Sequence, residues 1–184
     1  MDDKERRRLV RWDLHNELRW MLVAASEWHA FRLLPEATRN QFPSHFHVVT
    51  MDSACLHARS LYEFFLTPKK NSRPDTAYAE RDFGVTLKPT KVSSTYIDSL
   101  NKRLFHVDLY RPVPVKKVGG SVKKVKTDVN TRVVEIATDV LTLWDEFAGR
   151  VGKFPTALKT ARKKAIADAA QAATSICGAA RVFQ

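Results

Sequence analysis

The chain has 184 residues, 44% of them hydrophobic, which is enough for one well-buried core and barely enough for two. Lysine and arginine number 31 against 20 acidic residues; the net charge of +11 favours a polyanionic partner, nucleic acid first and an acidic protein or membrane surface second. Two cysteines, Cys55 and Cys177, exclude a disulfide framework or a zinc knuckle, which suits a reducing compartment.

The opening MDDKERRRLV is too charged for a signal peptide, and no apolar run approaches the ~18 residues of a membrane span. A cytoplasmic protein without a membrane partner is the expectation. From Asp2 to Leu34 the pattern is helical, with Leu14, Leu18, Met21, Ala25, Trp28 and Phe31 forming one apolar stripe. Its polar first turns are expected to reach past the core as a basic arm. Pro35 stops this helix.

A second helix is predicted from Ser44, as N-cap, to about Leu66. Phe46, Val49, Ser53, Leu56 and Phe64 fall on one face and Val48, Met51, Cys55, Tyr62 and Leu66 near another, so the helix reads as central. A short helical piece in DTAYAERDF ends before Gly84. A third main helix opens near Ser93 or Ser94, stripes Ile97, Leu100, Leu104 and Val107, and ends before Pro112. Two Val-Lys-Lys-Val blocks then flank Gly119, Gly120 and Ser121. The valines of each block are three apart and fall on opposite faces of a strand, so a connector or weakly paired hairpin is expected.

The fourth helix, Asp128 to Ala148, has the cleanest stripe: Val129, Val133, Ile136, Val140, Leu143 and Phe147, with Gly149 closing it. Thr156 to Ala180 is Ala-rich and helical, with Leu158, Ala165, Ala169, Ala172 and Ile176 inward. Its first half carries Lys159, Arg162, Lys163 and Lys164, an arrangement that helix propensity and the dipole do not explain. The fold class predicted is all-α, an antiparallel bundle of four to five main helices. Residues 1–148 would form the bundle, with a basic loop or small hairpin at 112–127. Residues 149–184 would be a basic helix packing on it or extending as an arm.

No phosphate-binding glycine loop or nucleophile elbow occurs, and no cofactor is called for. His45 and His47 are two apart at a helix start, where they diverge, so no metal site is expected from them. Cys55 and His57 diverge likewise, which makes Cys55 a core residue. His45, Asp52 and Arg59 lie seven apart along one face; Arg59 either pairs with Glu63 one turn on or faces a cleft with the third helix. On that third helix Arg103, His106 and Tyr110 share a face, and Asp108 and Arg111 lie near its end. An imidazole beside two guanidinium groups can move a proton near neutral pH while the arginines hold phosphate oxygens. The same residues can equally cap the helix end.

SACLHARSLYEFF (53–65), DTAYAERDFG (75–84) and NKRLFHVDLYR (101–111), in that order, resemble helical bacterial proteins related to the HEPN superfamily, over roughly Trp12 to Phe147. The resemblance implies a helical bundle that often dimerises, with an RNA-cutting role in toxin, phage-defence or CRISPR systems or a non-catalytic nucleotide- or RNA-binding role. Active members carry an Arg-x(4–6)-His pair on a late helix. This chain instead has Arg103-x2-His106 and, in reversed order, His106-x4-Arg111, while the ordered spacing occurs at Arg8/His15 and Arg39/His45.

Two functional expectations follow. One is a metal-independent endoribonuclease, with His106 as acid/base, Arg103 and Arg111 on the phosphate, and Arg59 and Tyr110 in support. Its nucleophile would be the ribose 2′-hydroxyl, and an antitoxin partner and homodimer would be in keeping. The other is a non-catalytic module binding nucleic acid or an acidic protein, with Lys116, Lys117, Lys123 and Lys124 edging the site.

Overall fold

The computed structural model describes residues 1–105 and 132–182, with side chains for all of these but 98, 99, 101–105 and 179–182. Every regular element among them is helical. The all-α expectation therefore holds for the described part.

The N-terminal helix runs almost unbroken from Asp3 to Leu33, as its apolar period demands. Helix α1 (Asp3–Arg8) starts with a capping box: the Asp2 carboxylate accepts from the Glu5 N–H at 2.7 Å, and the Glu5 carboxylate accepts from the Asp2 N–H at 2.8 Å. A π-helical turn, Leu9–Asp13, joins it to α2 (Leu14–Leu33). All six residues of the expected stripe on α2 are buried. The first turns are not an arm. Lys153 bonds Asp3 at 2.6 Å and the Arg7 guanidinium sits 5.6 Å above the Phe154 ring, tying α1 to the loop before the last helix.

A short α3 (Glu36–Arg39) follows Pro35, and α4 (Phe46–Leu66) begins one residue later than the Ser44 cap predicts. Its N-cap is His45, which makes no side-chain cap bond, because Pro43 and Ser44 are taken up in the preceding turn (Phe46 N–H to the Pro43 carbonyl at 2.9 Å). Helix α4 packs against α2, α5 (Ala79–Phe83), α6 (Lys91–Phe105) and α7 (Val133–Arg150), so it is central. It is not buried all round: Val49 is 56% and Leu56 45% exposed, on the face that α2 and α7 leave open.

Gly84 closes α5 in the left-handed conformation (φ 69°), which glycine adopts without strain. Helix α6 begins at Lys91, ahead of the predicted Ser93 or Ser94. Thr90 and Ser93 make a reciprocal cap, the Thr90 hydroxyl accepting from the Ser93 N–H at 3.0 Å and the Ser93 hydroxyl from the Thr90 N–H at 2.8 Å. Ser93 is thus the third residue inside the helix rather than its start.

Helix α7 opens at Val133, since Arg132 has non-helical dihedrals, and it runs to Arg150, through Gly149 rather than closing at it. Val133, Ile136, Val140, Leu143 and Phe147 are buried; Val129 lies outside the described residues. Phe64, Phe65, Phe83, Trp144 and Phe147 meet edge-on or tilted at centroid distances from 5.1 to 6.4 Å. Full burial of each such ring stabilises the fold by about 1.5–3 kcal/mol. Beneath them the Tyr62 hydroxyl donates to the Asp139 carboxylate at 2.8 Å, both residues buried. Burial, and then the carboxylate, push the Tyr62 phenol well above its usual range.

The last helix, α8 (Pro155–Val182), lies along α2. Leu158, Ala161, Ala165 and Ala169 belong to the same core as α2 and α4, the alanines giving α2 a smooth surface to approach. Ala172 is half-buried, and Ile176 joins Ala30 and Phe31 in a second, smaller cluster. An Arg19–Asp168 ion pair at 2.5 Å fixes the register of the two helices.

Candidate nucleic-acid interface

Of the residues singled out for catalysis, His106, Tyr110 and Arg111 lie outside the described residues, as do Lys116, Lys117, Lys123 and Lys124. Arg103 falls on α6, with its side chain outside them. The hairpin or linker question at 112–127 falls outside them too. What the structure does place is Arg59, together with two basic regions that the sequence left unassigned.

Arg59 meets Glu63 at 3.9 Å, and both line a cleft of about 340 Å³ with Thr67, Asn71, Arg73, Tyr78 and Ile97. Ile97 comes from α6, so Arg59 pairs with Glu63 and also faces a cleft shared with the third main helix. Glu63 is the hub here: Arg73 forms an ion pair with it, and the Tyr78 hydroxyl donates to it at 3.4 Å. Glu63 thus answers both guanidinium groups of the cleft.

Arg81 holds the loop that forms one side of this cleft. Its guanidinium donates to the Thr76 carbonyl at 2.5 Å, to the Asp82 carboxylate at 2.9 Å and to the Arg73 carbonyl, and lies 5.3 Å over the Tyr78 ring. A lysine has neither the fork nor the reach for these acceptors. Arg81→Lys is expected to loosen residues 67–78, giving several-fold faster tryptic cleavage after Lys69 or Lys70 at unchanged global fold. Unchanged cleavage would mean that the loop stands without Arg81.

The polar line along α4 splits. Asp52 lines a groove of about 780 Å³ between the end of α2, α3 and the start of α4, with Arg32, Arg39 and His47 among its other walls. The His47 ring lies parallel to Phe31 at 6.3 Å, while His45 is exposed at the helix start. Glu36 and Asp52 offset the cations there. No three His, Cys, Asp or Glu among the described residues are grouped to hold a metal ion.

The uncompensated charge lies elsewhere. A groove of about 510 Å³ runs between the N-terminal helix and the start of α8, lined by Arg7, Arg11, His15, Phe154, Thr156, Ala157, Thr160, Ala161 and Lys164. It has three cations and no acid in its lining. None of the three forms an ion pair among the described residues, Arg7 instead covering Phe154. The π turn explains their alignment. In an α-helix residues four apart creep forward around the axis, and a wider i→i+5 turn creeps back, so Arg7, Arg11 and His15 stay on one face. That four-residue spacing of basic side chains was visible in the sequence, and it was the signal for this groove.

His15 sits at the groove floor with a buried Nε2 that has no hydrogen-bond partner. Burial lowers its pKa below the usual 6.5, Lys164 and Arg19 add to the effect, and Asp168 and the Arg11 main chain oppose it. A histidine held neutral by the fold contributes stability above its unfolded pKa, and loses it as pH falls through the folded value. Between about pH 7 and 5.5 the melting temperature of the wild type is expected to fall more steeply than that of His15→Gln. Parallel curves would show that His15 does not feel its cationic neighbours.

Beyond the groove, Lys159 and Lys163 of α8 are exposed and have no ion-pair partner among the described residues, whereas Arg162 pairs with Asp145 at 2.7 Å. No helix among the described residues is long and apolar enough to cross a membrane. No protein-family model, curated protein or solved structure matches the chain.

Proposed function

We propose that this chain is an RNA-binding helical protein that takes the phosphate backbone along the α1–α8 face. The observation that carries the reading is the groove with Arg7, Arg11 and Lys164 and no counter-charge in its lining. Folding brings these like charges together at a cost, and a polyanion relieves it by releasing its own counterions. Lys159 and Lys163 continue the basic surface along α8. A cytoplasmic setting accords with RNA as the partner.

A second reading is metal-independent RNA cleavage of the HEPN type, as part of a toxin or defence system, with homodimerisation and an antitoxin partner as its corollaries. What favours it is that Arg59 and Ile97 of α6 share a cleft, since α6 is the helix that carries Arg103. One assay separates the two. Labelled single-stranded RNA is incubated with the protein in EDTA, beside His106→Ala and Arg111→Ala, and run on native and denaturing gels. Intact RNA shifted by all three proteins supports the binder. Products that form in EDTA and vanish in both variants support the nuclease. RNA neither shifted nor cut overturns both.

A further inference from the structure

A strand that only lies across a basic surface needs scattered cations, one near each phosphodiester charge. The α1–α8 groove is built differently. It concentrates Arg7, Arg11 and Lys164 around one cavity of about 510 Å³, the size of a small-ligand site rather than of a strand track. Its neutral donors converge as well. Helix α8 opens with Pro155, and the Leu158 N–H already bonds the Phe154 carbonyl at 3.1 Å. Phe154 thus stands at the N-cap, where its ring can accept no hydrogen bond. The N–H groups of Thr156 and Ala157, residues of the groove wall, meet no capping side chain among the described residues.

One charge class matches this set. A phosphodiester carries a single negative charge, which leaves about two of the three cations unanswered. A phosphomonoester carries about −1.5 to −2 near neutral pH and has three strong acceptor oxygens. We propose that the groove seats the terminal phosphomonoester of an RNA strand, with Arg7, Arg11 and Lys164 neutralising it and the first turn of α8 donating to it. This rests on the RNA reading above and makes it specific: the protein selects phosphorylated ends.

The test uses the full chain and three single-stranded RNA oligonucleotides of one sequence, bearing a 5′-phosphate, a 3′-phosphate or hydroxyls at both ends. Affinity is read by fluorescence anisotropy for the wild type, Arg11→Gln and Lys164→Gln. Both substituted residues are exposed, so the variants keep the fold. One phosphorylated end is expected to bind about tenfold tighter than the hydroxyl-ended strand, and each variant to cut that preference to about twofold or less. The preferred end, 5′ or 3′, identifies the source of the phosphate. Equal binding of the three strands by the wild type overturns the proposal and leaves the RNA reading standing. If no strand binds, the RNA reading has failed, and the seat is judged by titrating inorganic phosphate against the His15 ring signals in NMR. A shift present in the wild type and lost in Arg11→Gln upholds a phosphomonoester seat; no shift removes it.

Discussion

Trp144→Ala is expected to destabilise the protein by about 3–5 kcal/mol, which for a chain of this size lowers the melting temperature by roughly 6–20 °C. Trp144 is fully buried and joins three helices. It sits on α7, its ring meets Phe65 of α4 edge-on at 6.4 Å, and its Nε1–H donates to the Leu158 carbonyl of α8 at 3.3 Å. Alanine removes the ring, leaves a cavity among close-packed aromatics and loses the indole hydrogen bond to α8. Trp144→Phe keeps most of the bulk and should cost less than half as much. Trp12, 64% exposed, is the control: Trp12→Ala should move stability by about 0.5 kcal/mol or less. Thermal or urea denaturation followed by circular dichroism checks all three. Equal effects at Trp144 and Trp12 would contradict the packing described.

Tyr62→Phe is expected to cost about 2–3 kcal/mol, although it removes a single oxygen atom. The loss comes from what stays behind. Asp139, 8% exposed, accepts from the Tyr62 hydroxyl at 2.8 Å, and without that donor a buried carboxylate has lost its partner. The asymmetry gives a sharper check. Adding Asp139→Asn to Tyr62→Phe should restore part of the stability, because an unpartnered amide is cheaper to bury than an unpartnered charge. Urea denaturation of the four proteins in a double-mutant cycle measures this. A double variant less stable than Tyr62→Phe would mean that Asp139 is held by something other than the tyrosine.

The long helices were legible because burial and period coincide. The stripe on α2 and the described part of the stripe on α7 are buried residue for residue, and α8 needed only its alanines to show its inner face. Helix starts were less so. Ser44 has the right chemistry for a cap, but the turn through Pro43 displaces the cap by one residue, while the reciprocal pair Thr90/Ser93 moves the start of α6 forward. Asp139 shows another limit. It lies between Ile136 and Val140 on the inward side of α7, and only the facing Tyr62, 77 residues away in the chain, makes its burial tolerable. The candidate site was legible in part. Arg59 could be assigned two fates from its spacing to Glu63 and its distance from the third helix, and it has both. The α1–α8 groove could not be assembled by the same means. Local spacing puts Arg7, Arg11 and His15 in line, yet nothing local says that Lys164, 149 residues beyond His15, arrives opposite them. Only the packing of α8 along α2 does that.

The central claim is that the α1–α8 groove binds RNA phosphate, and its most direct test is the salt dependence of affinity. Binding of a labelled single-stranded RNA is measured across a salt series for the wild type and for the triple variant Arg7→Gln, Arg11→Gln and Lys164→Gln. Each phosphate contact on a single strand contributes about 0.7 to the slope of log affinity against log salt, so the variant's slope should be shallower than the wild type's by about 0.7 for every phosphate that the three cations hold. A wild type that binds with no salt dependence, or a variant whose slope is unchanged, would contradict the account.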